Sequence, residues 1–106
     1  MDSIIRGTNA TVQIKIKEDL DFSTITALEL YIYQPTHPIV KTLDDLTLDA
    51  DAKTVTYELS QAESLSLVAQ RSVEISLIGV ADGKRFETRP VIKASVENTR
   101  KNEVLS

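Results

Sequence analysis

A chain of 106 residues, 42% of them hydrophobic, is sized for one domain with its own core. Its net charge of -4 argues against nucleic acid or an anionic membrane as partner, since both call for a clustered basic footprint. With no cysteine there is no disulfide framework, no thiolate nucleophile and no thiolate metal site.

The opening, Met1 to Arg6, has an acidic second residue and only two consecutive apolar ones, Ile4 and Ile5. A secretory signal needs a basic end and an apolar stretch of roughly 7–15 residues. Synthesis in the cytoplasm without a signal peptide is therefore expected. No apolar run approaches the ~20 residues that span a bilayer.

In chain order, Gly7 between Arg6 and Thr8 marks a bend or a close backbone approach. Residues 9–17 alternate, with Val12, Ile14 and Ile16 on one side and Gln13, Lys15 and Lys17 on the other. That period of two is the pattern of a half-buried strand. Residues 18–23 read as a polar connection whose Leu20 and Phe22 cap one end of the core. Residues 25–34 are a second strand, with Leu28, Leu30 and Ile32 in one row and Ala27, Glu29, Tyr31 and Tyr33 in the other. Pro35 and Pro38 enforce a turn around His37. Residues 39–43 then resume as a short strand, making a hairpin. After Asp44-Asp45 comes the short strand Leu46-Thr47-Leu48, then a turn over 49–53, then a strand over 54–59 with Val55, Tyr57 and Leu59 on one face.

At Ser60 the period changes. Serine followed three residues later by Glu63 is a capping box, so one or two helical turns carrying Leu65, Leu67 and Val68 are expected. The strongest fold signal follows. In the arm over 71–80, Val73, Ile75 and Leu77 point one way while Glu74, Ser76, Ile78 and Val80 point the other. Asp82-Gly83 then supplies the two residues with positive φ that a type I′ hairpin requires. The return arm is interrupted by Pro90, which belongs at a bulge or an unpaired edge. About seven short strands at a spacing of roughly 8–12 residues point to an all-β, antiparallel, immunoglobulin-like β-sandwich with one short helix near residues 60–68. A small barrel is the alternative. Residues 1–97 form the single domain, and 98–106 a polar C-terminal tail with Val104 and Leu105 near its end.

Little in the chain carries chemistry. His37 is the single histidine, and no nucleophile motif accompanies it. Asp44, Asp45, Asp49 and Asp51 lack a calcium loop's spacing and read as turn aspartates. Asn9-Ala10-Thr11 is a glycosylation sequon, which matters only in a secretory pathway. No P-loop or dinucleotide fingerprint is present, and no catalytic residue, metal or cofactor is expected. What rises above this background is the outward row of Tyr31 and Tyr33 beside Ile78 and Val80. Either a connection or the tail covers these residues, or they form a contiguous apolar patch that marks a partner site. Val104 and Leu105 are a second candidate contact.

These pieces in this order resemble a family of short proteins encoded among virion-structure genes of prophages in Firmicutes-type bacteria. They are similar to the immunoglobulin-like N-terminal domain of phage baseplate upper proteins. The matching pieces are Arg6-Gly7-Thr8 with the strand to Lys17, the strand over 25–34, and Asp45-Leu46-Thr47-Leu48. The strand over 54–59 leading into Ser60-Gln61-Ala62-Glu63, the 73–80 strand with its Asp82-Gly83 turn, and Asn102-Glu103-Val104-Leu105 complete the set. The resemblance implies a non-catalytic virion component of the tail, baseplate or neck region, made in the bacterial cytoplasm. Its partners would be other phage structural proteins, a second copy of itself included. The alternative is an immunoglobulin-like module binding carbohydrate or a host-surface ligand, with Tyr31, Tyr33 and Tyr57 as its platforms.

Overall fold

The computed structural model describes residues 3–16, 20–34, 38–88, 92–100 and 104. Nine strands form among them: β1 (Ser3–Ile5), β2 (Thr11–Lys15), β3 (Ile25–Tyr33), β4 (Ile39–Thr42), β5 (Thr47–Asp49), β6 (Thr54–Glu58), β7 (Ser72–Ala81), β8 (Lys84–Glu87) and β9 (Ile92–Glu97). A five-residue helix, α1 (Gln61–Leu65), joins β6 to β7. One sheet runs β1-β9-β7-β3-β4, with β8 also pairing on β7, and the other runs β2-β6-β5. The chain crosses between the two sheets as an immunoglobulin-like sandwich does. One pairing is parallel: β1 lies along β9 with Ile4 opposite Val96. No tight turn links these two strands, so nothing forces them to be antiparallel.

The alternating rows fill the space between the sheets. Val12 and Ile14 of β2 and Val55 of β6 meet Leu28, Leu30 and Ile32 of β3 and Val73, Ile75 and Leu77 of β7, all buried. Each such side chain contributes about 1.5–3 kcal/mol by leaving water. Truncating one central member, Leu30→Ala, would cost about 2–5 kcal/mol.

At the hairpin, Asp82 (φ 51) and Gly83 (φ 73) both take the left-handed conformation a type I′ turn requires. The Asp82 amide also donates to the Thr24 carbonyl at 3.3 Å, docking the tip on a short 3₁₀ turn, Phe22–Thr24. Leu20 and Phe22 pack against the core there, as expected.

The return arm does not pair continuously. Ile78 faces Glu87 while Ile75 faces Ile92, so between these two pairs the return arm has two more residues than β7. Thr88 bridges this excess. Its amide donates to the Leu77 carbonyl at 3.0 Å, and its hydroxyl accepts from the Leu77 amide at 3.0 Å. Pro90 lies outside the described residues.

The capping box forms as its spacing predicts. Ser60 Oγ accepts from the Glu63 amide at 3.1 Å, and Glu63 Oε1 accepts from the Ser60 amide at 2.9 Å. The helix is then locked to the start of the chain by Ser64, which is fully buried. Ser64 Oγ accepts from the Gly7 amide at 2.9 Å and donates to the Thr8 carbonyl at 2.8 Å. Gly7 makes this approach at φ 83, which explains a glycine between Arg6 and Thr8. A second 3₁₀ turn, Leu43–Asp45, takes the place of the break expected at Asp44-Asp45. Asp45 holds it by accepting from the Thr42 amide at 3.2 Å.

Candidate functional site

The outward rows of β3 and β7 build one face. Register places Tyr33 opposite Glu74, Tyr31 opposite Ser76, Glu29 opposite Ile78 and Ala27 opposite Val80. Tyr31, Tyr33, Glu74, Ser76 and Ile78 line a shallow depression of ≈ 240 Å³. On the far side of β3, Val40 of β4 stands opposite Tyr31. Tyr33 is 47% and Val40 43% exposed, whereas Tyr31, Ile78 and Val80 are half-buried.

The structure thus brings Tyr31, Tyr33 and Ile78 together. Val80 continues the face one row further and does not line the depression. Val40 is the member that the sequence did not single out. Its place depends on the β3–β4 register, which a Pro-rich connection does not encode. Val104 is 54% exposed, and Leu105 lies outside the described residues.

Polar groups edge the patch. The Tyr31 hydroxyl donates to Glu29 Oε2 at 2.7 Å, and this bond raises the phenol above its ordinary pKa. Arg85 and Glu87 of β8, opposite Val80 and Ile78, pair at 2.8 Å. Lys93 stands opposite Glu74. The face thus has an apolar centre with charged groups at its margin.

The other sheet differs. Its outer face forms a depression of ≈ 580 Å³ floored by Thr47, Thr54 and Thr56, with Asp45, Asp49 and Glu58 beside them. Asp45 and Asp49 serve turns, the latter by accepting from the Ala52 amide at 3.1 Å. Among the described residues no group of three or more His, Cys, Asp or Glu could hold a metal ion, and no helix is long and apolar enough to cross a membrane. His37 lies outside those residues.

Tyr57 does not join the other two tyrosines. It belongs to β6 in the three-stranded sheet, and its hydroxyl donates to Glu63 Oε1 at 2.6 Å. Lys41 Nζ lies 5.3 Å above its ring. The three tyrosines therefore do not make one stacking platform.

No family model matches the chain, and no curated protein matches it. Among solved structures, the endo-beta-1,4-mannanase from Thermotoga petrophila contains a similar fold, with a TM-score of 0.53 and 19% identity. The match covers 93% of this chain but only 18% of the mannanase chain. At that identity the likeness speaks to the fold alone.

Proposed function

We propose that this chain is a non-catalytic structural component of a phage or prophage particle, in its tail, baseplate or neck region, acting by assembly with other protein chains. The observation that supports this reading is the patch of Tyr31, Tyr33, Val40 and Ile78 on the outer face of the larger sheet. Tyrosine combines a large contact area with a hydrogen-bonding tip, which favours it at interfaces. A partner side chain seated in the depression would cover Tyr33 and keep Glu74 and Ser76 as hydrogen-bonding neighbours, with Val40 beside it across β3. The resemblance of its sequence pieces, in their order, to the baseplate-type family is what points to this kind of particle.

The test is mass spectrometry of gradient-purified particles induced from the strain that carries the gene. The chain is expected in them at a fixed copy number. The double variant Tyr33→Glu, Val40→Glu should stay folded and be lost from the particles. Absence of the wild-type chain from purified particles sinks the reading, and so does full retention of the variant for the patch.

A further inference from the structure

The three-stranded sheet ends at β2, whose far side pairs with no strand among the described residues. Two hydrogen bonds fix the phase of this edge. The Leu59 amide donates to the Ala10 carbonyl at 2.8 Å, and the Ile16 amide donates to the Lys53 carbonyl at 2.8 Å. Both lie in register with the pairs Val12–Tyr57 and Ile14–Val55. The even-numbered residues of β2 therefore aim their amides and carbonyls at β6. Antiparallel alternation turns those of Thr11, Gln13 and Lys15 the other way. All three residues are exposed. The result, among the described residues, is a row of backbone donors and acceptors that no strand pairs, of the kind that recruits another strand.

We infer that this edge pairs with the β2 edge of a second copy, antiparallel, about a two-fold axis through Gln13. The free groups are symmetric about that residue. Gln13 then faces Gln13 of the second copy, and Thr11 faces its Lys15, so all three residues make hydrogen-bonded pairs, about six bonds in total. Sliding the register by one step within β2 leaves at most two such pairs. Charge agrees with the same register. A lysine on an edge strand commonly repels an incoming strand. Lys15 is the one charged residue of β2, and here it meets Thr11 rather than its own copy. The two Gln13 side chains lie side by side on the outer face, where amides can bond each other. On the inner face Val12 comes beside Ile14 of the second copy and continues the apolar rows. This pairing uses the smaller sheet and does not rest on the patch of the larger one.

Cysteine scanning tests it, because the chain has no cysteine of its own. Residues in a hydrogen-bonded antiparallel pair have Cα atoms about 5.5 Å apart, within disulfide reach. The two Thr11 residues would be about 14 Å apart, beyond that reach. Gln13 makes one side-chain bond, from Nε2 to Thr56 Oγ1 at 3.2 Å, so Gln13→Cys leaves the core untouched. Under air oxidation Gln13→Cys should give a covalent dimer roughly tenfold faster than Thr11→Cys. Wild-type protein should double its mass in light scattering as concentration rises, and Gln13→Pro should not. If Gln13→Pro fails to fold, the cysteine pair decides. Equal crosslinking rates for the two cysteine variants overturn the proposal, and so does a different chain's segment found on this edge. Adding Tyr33→Glu and Val40→Glu should leave Gln13→Cys crosslinking unchanged, which separates this surface from the particle-binding patch.

Discussion

The Tyr57 hydroxyl donates to Glu63 Oε1 at 2.6 Å, which ties the three-stranded sheet to α1. Lys41 of β4, in the larger sheet, places Nζ 2.6 Å from Glu63 Oε2. One carboxylate thus joins side chains from both sheets while capping its own helix through the Ser60 amide. Burial pushes this carboxyl up, but the bonds from Lys41, the Ser60 amide and Tyr57 outweigh it and hold the group at about 2. The Lys41 ammonium is correspondingly raised, chiefly by its bond to Glu63.

Glu63→Gln keeps the shape of the cap and removes the charge. It leaves Lys41 without its ion pair and weakens the acceptor for Tyr57. A loss of about 1–2 kcal/mol at neutral pH is expected, since the site is partly open to water. Urea unfolding followed by circular dichroism measures it. Unchanged stability would mean that the junction is ornamental to the fold.

The same carboxylate sets an acid limit. Unfolded, Glu63 titrates near 4.5, and folded at about 2. Between those values the unfolded chain binds more protons, so stability falls as pH falls. The Glu63 contribution is fully present above pH 4.5 and is lost on descending from 4.5 to 2. Solvent screening limits it to about 1 kcal/mol. Thermal melts of wild type and Glu63→Gln should differ at pH 6 and converge near pH 2. A gap that persists at pH 2 assigns the effect to packing instead.

Gly79 shows a different constraint. A Cβ there would stand 2.7 Å from Phe86 Cζ and 2.8 Å from the Ala27 carbonyl oxygen. Phe86 is partly buried against the core and lies over the glycine, at the end of the sandwich where Leu20 also packs. Gly79→Ala meets both a ring and a backbone carbonyl too closely and should cost about 1–3 kcal/mol. Phe86→Leu in the same background makes room and should recover part of that loss. Additive losses in the double variant would show that the ring is not what the methyl meets.

These sites also mark where the sequence is informative. The Asp82-Gly83 turn and the Ser60–Glu63 cap are legible because their signals lie within four residues of each other, and both form as predicted. The rows of β2, β3 and β7 are legible because alternation has a period of two. The parallel β1–β9 pairing is not, since it joins opposite ends of the chain. Nor is the meeting of Lys41, Tyr57 and Glu63, which requires knowing that β4 and β6 lie in different sheets. The patch was half legible. Periodicity gave Tyr31, Tyr33 and Ile78 a common side, but Val40 needed the register of a neighbouring strand.

Thr88 is where the return arm of the hairpin departs from simple pairing. The Leu77 amide is buried, and its acceptor is a side-chain oxygen, Thr88 Oγ1, rather than a ladder carbonyl. Thr88→Val keeps the shape and deletes the acceptor. A buried amide left without a partner costs about 1–3 kcal/mol, so the variant should unfold at correspondingly lower urea. Thr88→Ser restores an oxygen at the same position and should recover most of the loss. Hydrogen exchange locates the effect, because the Leu77 amide should exchange faster in Thr88→Val while amides in β2 and β6 follow only global stability. Equal protection of Leu77 in wild type and Thr88→Val would show that the hydroxyl is dispensable and that the excess residues of the return arm are tolerated by the backbone alone.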